Sequence, residues 1–302
     1  MIIPPCLKNG DRITIIAPSG KVNIEYVLHS KYVLEKWGFC VEVGEHVFSE
    51  HGRFAGTANE RLSDLQKALD RPENKAIFCA RGGYGIVHLL ENVSLKLLKK
   101  NPKWLIGYSD ITALHAKINN DGICSIHAPM SSHLAEKNGQ DEASLYLKDL
   151  LLGKSVDYKI KTHVLNKTGE AKGVLRGGNL SVLNGLRGTP YDFLPENTIL
   201  FIEDVGEKPY HIERMMYNLK LGKVLQNISG LLVGQFADCE EDESMNKSIY
   251  QSISDLVAEY NFPVCFNFPT GHVTENFPLV CGKTIDLLVT EETVTFTQSS
   301  CI

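Results

Sequence analysis

The first 120 residues alternate short apolar runs with amphipathic stretches, and that alternation restricts the chain to a parallel sheet with crossover helices. Ile13 to Ala17 reads as a buried strand ending at Pro18-Ser19-Gly20. Ile24, Val27, Leu28 and Tyr32 then recur at helical spacing, and Gly38 punctuates before a second strand around Val41 to Val43. Leu62, Leu65 and Leu69 predict another amphipathic helix, followed by an apolar run at Ala76 to Ala80 and the glycine loop Arg81-Gly82-Gly83-Tyr84-Gly85. A fourth strand, Trp104 to Gly107, turns at Tyr108-Ser109-Asp110 into a helix carrying Ile111, Leu114 and Ile118. This order predicts a doubly wound α/β domain.

A chain of 302 residues is about twice the usual domain size, which favours two domains. From roughly Gly153 the texture changes. Tyr158-Lys159-Ile160-Lys161 and Thr293-Val294-Thr295-Phe296 alternate apolar with polar residues, as half-buried antiparallel strands do. The second half keeps one strong helix, Tyr210 to Leu221, and two hydrophobic strands at Thr198 to Ile202 and Leu231 to Val233. We therefore expect a doubly wound α/β domain over residues 1–155 and a β-rich domain over residues 165–302. No internal repeat is evident, and the acidic patch Cys239-Glu240-Glu241-Asp242-Glu243 reads as a solvated loop.

The net charge is −5, with 31 Lys and Arg against 36 Asp and Glu, so the basic face that binds a phosphate backbone is not expected. The eight cysteines lack CxxC or zinc-knuckle spacing and read as reduced thiols, mostly small core fillers. Met1-Ile2-Ile3-Pro4-Pro5-Cys6-Leu7-Lys8 has neither a basic start nor an apolar stretch of signal-peptide length. No later run approaches the roughly 18 apolar residues of a membrane span. A soluble protein of the cytoplasm is expected.

Ligands of open α/β sheets sit beyond the carboxyl ends of the strands, which directs attention to two loops. In one, Ser109 lies between strand and helix, where a sharp turn can raise a nucleophilic hydroxyl and aim the N–H of Asp110 at a shared spot. The match to G-x-S-x-G is incomplete, since Gly107 is present but Ile111 holds the second glycine position. Helix capping by Ser109 and Asp110 is an equal alternative. In the other loop, consecutive glycines can turn a backbone N–H towards a bound carbonyl. A dinucleotide reading of that loop would need a third glycine at position 88, which is His88.

A serine hydroxyl needs a base, and the base needs a third group to hold its tautomer. His29, His46 and His51 lie in polar contexts, and His115 reads equally as a helix-face residue. His272 lies in the loop Pro269-Thr270-Gly271-His272-Val273-Thr274-Glu275-Asn276, between apolar segments, and His127 in Ile126-His127-Ala128-Pro129 is its rival. Glu203 ends the apolar run Thr198 to Ile202, with Asp204 and Glu207 beside it. A buried acid there requires a partner such as an imidazole, while the alternative places all three acids at the N-terminus of the next helix.

Four segments together resemble the LD-carboxypeptidase family, which includes the microcin-immunity peptidases. They are Arg81-Gly82-Gly83-Tyr84-Gly85, Gly107-Tyr108-Ser109-Asp110-Ile111-Thr112, Glu203-Asp204-Val205-Gly206-Glu207 and Thr270-Gly271-His272, with Leu175-Arg176-Gly177-Gly178-Asn179-Leu180 between the second and third. The resemblance implies a nucleophile at Ser109, an orienting acid at Glu203 and a base at His272. It implies an oxyanion hole from the N–H groups of Asp110 and Gly83. It further implies an N-terminal Rossmann-like domain, a smaller β-rich C-terminal domain with the site between them, and a homodimer. No metal, nucleotide or other cofactor is required.

By the same resemblance the substrate is the tetrapeptide of bacterial muropeptides, cut before its terminal D-alanine during murein recycling. Reading the free carboxylate suits a forked guanidinium, and Arg81 and Arg176 are the candidates, each equally able to be an ion-pair residue. The alternatives are a microcin-immunity peptidase acting on a peptidyl-nucleotide, and a non-catalytic nucleotide-binding module. The first would need an aromatic platform for a base, and Trp37 and Trp104 both fall in core-like segments.

Overall fold

The structure is a computed structural model that describes residues 1–192 and 195–298. Two compact units form among the described residues: Met1–Ser155 together with Phe277–Gly282, and Val156–Asn276 together with residues 283–298. In chain order the strands are β1 (Arg12–Ile16), β2 (Cys40–Val43), β3 (Asn74–Cys79), β4 (Trp104–Gly107) and β5 (Ser125–His127). They continue with β6 (Val156–Lys161), β7 (Gly169–Asn179), β8 (Thr198–Val205), β9 (Ile228–Ala237) and β10 (Val264–Cys265). The last three are β11 (Leu279–Cys281), β12 (Thr284–Val289) and β13 (Thr293–Gln298).

The first unit carries the sheet β11-β5-β4-β3-β1-β2, parallel except for β11, which pairs antiparallel with β5. Ile13, Ile15 and Ile16 on β1 and Ile77 and Phe78 on β3 are fully buried. Strands covered by helices on both faces have no polar side, which is why they read as unbroken apolar runs. The strand order reverses between β1 and β3, and ligands of open α/β sheets bind at such a switch point. The carboxyl ends of β1, β3 and β4 there present Pro18–Gly20, Arg81–Gly85 and Tyr108–Asp110.

The helix Ile24–Lys36 departs from the sequence expectation in its orientation. Of the four residues at helical spacing only Val27 is buried, while Ile24, Leu28 and Tyr32 are about half exposed. Val27, Ser30, Val33 and Leu34 form the inner face instead. Ser30 on that face donates to Val27 O and bonds Ser131 Oγ, both at 2.9 Å, where the helix crosses the helix Ser131–Glu136. The helix Ala58–Asp70 begins with a capping box, in which Thr57 Oγ1 accepts from Glu60 N and Glu60 Oε2 accepts from Thr57 N. Arg61 lies on its inner face with Leu65, Ala68 and Leu69.

The second unit carries the sheet β10-β9-β8-β7-β12-β13-β6. Strands β7 to β10 run parallel, while β12, β13 and β6 form the antiparallel part expected from their alternation, with Phe296 opposite Tyr158. The helices Pro209–Leu221 and Ile249–Val257 bury Ile212, Met216, Leu219, Ile253 and Leu256 in one cluster with Leu200, Ile202, Leu231 and Val233. Strand β8 runs past the expected Ile202 to Val205, because its pairing with β9 resumes at Asp204 after a register shift. Glu203 therefore lies within the strand, at an irregularity of the kind that re-aims a side chain.

No disulfide joins the described cysteines, of which Cys79, Cys124, Cys265 and Cys281 are buried, and Cys301 lies outside the described residues. Among the described residues no helix is long and apolar enough to cross a membrane.

Candidate active site

Ser109 opens a short 3₁₀ turn that leads into the helix Thr112–Asn120. Its φ of 65° lies in the left-handed region, which costs a non-glycine residue on the order of 1 kcal/mol or more. Neither Ser109 nor Asp110 caps the helix through its side chain, which removes the capping alternative. Gly107 is required two residues earlier, since a Cβ there would lie 3.0 Å from Cys79 Cβ and 3.1 Å from Ile111 Cγ1. His115 is fully buried below the turn, with Nε2 donating to Gly107 O and Nδ1 accepting from Ser125 Oγ, both at 2.8 Å. Burial pushes its pKa down to about 4, so it is a neutral structural imidazole.

The glycine loop packs directly on this turn. A Cβ on Gly82 would come 2.7 Å from Ser109 Cβ and 2.9 Å from Ser109 Oγ, and 3.3 Å from the backbone N of Asp110. Gly82 O accepts from Gly20 N at 3.0 Å, and Gly83 and Gly85 take φ values of 109° and 131°. The Asp110 carboxylate is buried, and its Oδ2 accepts from Ser19 Oγ at 2.5 Å and from Ile86 N at 3.0 Å. Arg61 donates through Nη1 to Pro18 O at 2.8 Å and Gly85 O at 3.0 Å. Arg81 is exposed, donates to Lys21 O at 2.6 Å and borders a cavity of about 340 Å³ lined by Tyr26, Val27, Ala80 and Ser132.

In the second unit the β8 irregularity turns Glu203 towards the loop that carries His272. Glu203 Oε2 lies 2.7 Å from His272 Nδ1, and Glu203 is wholly buried while His272 keeps partial exposure. Gly271, at a φ of 122°, brings the loop down onto the acid, since a Cβ there would sit 3.0 Å from both Cβ and Oε2 of Glu203. Asn276 Oδ1 holds the loop by accepting from Gly271 N at 2.9 Å and Thr270 Oγ1 at 3.3 Å. With Nδ1–H donated to the carboxylate, the imidazole is fixed in the tautomer whose Nε2 can accept a proton.

The acids that flank Glu203 in sequence do other things. Asp204 accepts from Asn179 Nδ2, Ser181 N and Val205 N, and so anchors the helix Leu180–Gly185 rather than the helix starting at Pro209. Burial, aided by the charge of Glu203, raises its pKa to about 6 against those hydrogen bonds. Glu207 pairs with His211 one turn into the next helix.

The rival base His127 ends β5 fully buried, its ring 5.7 Å from that of Tyr108. Arg176 lies on β7, only 6% exposed, whereas Arg81 is open to solvent. Ser19 and Arg61, which support the Ser109 turn, and Asn276, which holds the His272 loop, are residues that reading the sequence did not find. The position of Pro18-Ser19-Gly20 at the end of the first strand is a signal that pointed to Ser19 alone.

The fold agrees with comparison to known proteins. The model of the LD-carboxypeptidase N-terminal domain matches residues 13–128, and that of the C-terminal domain matches residues 172–287. The chain belongs to the LD-carboxypeptidase family and is a serine-type carboxypeptidase. It is 32% identical over 297 residues to a probable murein peptide carboxypeptidase of Bacillus subtilis (strain 168), covering 96% of this chain and 92% of that protein. It is 31% identical to the murein tetrapeptide carboxypeptidase of Pseudomonas aeruginosa, covering 90% and 92%. The crystal structure of muramoyltetrapeptide carboxypeptidase from Oxalobacter formigenes superposes with a TM-score of 0.85 at 26% identity, covering 95% and 98%. The microcin C7 self-immunity protein MccF, in complex with aspartyl sulfamoyl adenosine, shares the fold with a TM-score of 0.86 at 20% identity, covering 99% of each chain.

Proposed function

We propose that this protein removes the terminal D-alanine from cell-wall tetrapeptides, with Ser109 as nucleophile, His272 as base and Glu203 as the acid that orients it. The carrying observation is the 2.7 Å bond between His272 Nδ1 and the wholly buried Glu203. In the cycle, Ser109 Oγ adds to the amide carbonyl as His272 takes its proton. The imidazolium hands that proton to the departing amine as the C–N bond breaks. Water, deprotonated by His272, then cleaves the acyl-serine ester and frees the shortened peptide.

The N–H groups of Asp110 and Gly83 are assigned to the developing oxyanion, supported by the packing of Gly82 on Ser109. Arg81 is assigned to the substrate carboxylate, ahead of Arg176, because its guanidinium is exposed beside a cavity and Arg176 is buried. A cytoplasmic homodimer is part of the same reading.

The microcin-immunity alternative gains no support from the tryptophans, since Trp37 and Trp104 are both buried and Trp104 Nε1 donates to Pro5 O. The test is to incubate the purified protein with a muropeptide tetrapeptide, its all-L counterpart and a peptidyl-nucleotide, and to weigh the products. Release of D-alanine from the first alone is expected. Cleavage of the peptidyl-nucleotide alone would overturn the reading, and heat of ATP or NAD binding without any cleavage would point to a nucleotide-binding module.

A further inference from the structure

The residues that support the Ser109 turn form a connected buried network. The turn, the β1 loop and the glycine loop are three separate backbone segments that lack regular pairing with one another, so something else must fix their relative positions. Asp110 Oδ2 accepts from Ser19 Oγ on the β1 loop and from Ile86 N just beyond the glycine loop. From the helix Ala58–Asp70, Arg61 Nη1 donates to Pro18 O on the first of these loops and to Gly85 O on the second. Phe54 stacks under the guanidinium with 4.9 Å between ring and cation, and Arg61 is 2% exposed. Between these two anchors the loops touch directly, through the 3.0 Å bond from Gly20 N to Gly82 O.

We propose that Asp110 and Arg61 act as a two-ended clamp of positioning residues, setting the Gly82–Gly83 backbone against Ser109 before substrate arrives. Arg61 grips the outer ends of both loops, and the Asp110 side chain grips them again beside its own backbone N–H. The N–H assigned to the oxyanion and the carboxylate that fixes the opposing loop thus belong to one residue. A small displacement of either loop separates two donors that must converge within hydrogen-bonding distance of one oxygen, and such misplacement costs rate rather than ground-state binding. Burial pushes the Arg61 guanidinium below its usual range while the charge of Asp110 opposes that.

This inference rests on the hydrolase reading, and the experiment separates the two. Full-length Asp110→Asn, Arg61→Lys and Ser19→Ala variants are assayed on a tetrapeptide, alongside binding of a peptide boronic acid that forms a tetrahedral adduct on serine. Asp110→Asn and Arg61→Lys are expected to lower kcat by about tenfold or more with KM within about twofold, and Ser19→Ala by a few-fold. Boronate affinity should fall by the same factor as kcat/KM in each. A purely structural role would lower Tm while leaving kcat per folded molecule unchanged, and that result overturns the clamp. Ser19→Ala removes a single hydroxyl, so if the other two fail to fold, an unchanged kcat and boronate affinity in Ser19→Ala overturns it equally. If Ser109→Ala still turns over, the hydrolase reading itself fails; if Ser109→Ala is inactive and the clamp variants are not impaired, only the clamp fails.

Discussion

Gly82 faces Ser109 so closely that a methyl group on it would sit 2.7 Å from the serine Cβ. The crowded atom is fixed to a backbone already in the left-handed region, so it cannot swing aside. Gly82→Ala should therefore lower kcat by about 10²-fold or more while far-ultraviolet circular dichroism stays native, because the loop and the serine must separate. Full activity in a folded Gly82→Ala protein would mean that this approach is irrelevant to turnover.

Ser109→Ala and His272→Ala should each lose several powers of ten in kcat, and the double variant should lose little more than either alone, as residues acting as a unit do. Steady-state kinetics on tetrapeptide, with folding verified separately, is the measurement.

Glu203→Gln keeps the shape of the acid but offers His272 Nδ1 an amide that can also donate. The wrong imidazole tautomer then becomes available, and kcat should drop by about 10² to 10⁴-fold with little change in KM. The fold should survive, since replacing a wholly buried carboxylate by a neutral amide lowers the desolvation penalty.

Two buried groups shape stability in acid, with opposite signs. His115, with a folded pKa near 4 against about 6.5 unfolded, is charged only in the unfolded chain between those values, so its contribution is present above pH 6.5 and lost on acidification. By pH 5 the loss is roughly 2 kcal/mol. Asp204, raised to about 6, takes up a proton in the folded state first, so acidification over pH 6 to 4 stabilises the fold by a similar order. Urea denaturation should therefore show a shallow wild-type dependence between pH 7 and 5, steeper in Asp204→Asn and reversed in His115→Gln. Parallel profiles for all three proteins would contradict the assignment.

Gly177, in the Arg176-Gly177-Gly178 run of β7, would place a Cβ 1.9 Å from Phe201 O, at a φ of 145°. Backbone on the neighbouring strand cannot yield as a side chain can. Gly177→Ala should cost about 3 kcal/mol or more, read as a Tm decrease of about 10 °C.

What could be read from the sequence divides along the range of the forces involved. The parallel sheet was legible because strands buried on both faces leave continuous apolar runs, and Ser109 was legible because a strand-to-helix turn is a local feature. Glu203 was found as a residue but placed in a loop, since the irregularity that turns it belongs to pairing with β9, some 30 positions away. The inner face of the helix Ile24–Lys36 was likewise hidden, because apolar residues lie on both of its sides and the contact that covers one, with the helix Ser131–Glu136, is about 100 positions away. Arg61 and Asp110 as a network carry no local pattern at all. Their partners are backbone atoms of distant turns.

The strand Leu279–Cys281 joins the first unit although it is synthesised after nearly all of the second. The six-stranded sheet is thus one strand short for as long as the growing chain stops before residue 281, leaving the open edge of β5 exposed on the ribosome. Closure of the amino-terminal sheet therefore waits on a segment made after most of the second unit, and a chain cut short before Leu279 would damage the part of the molecule made first.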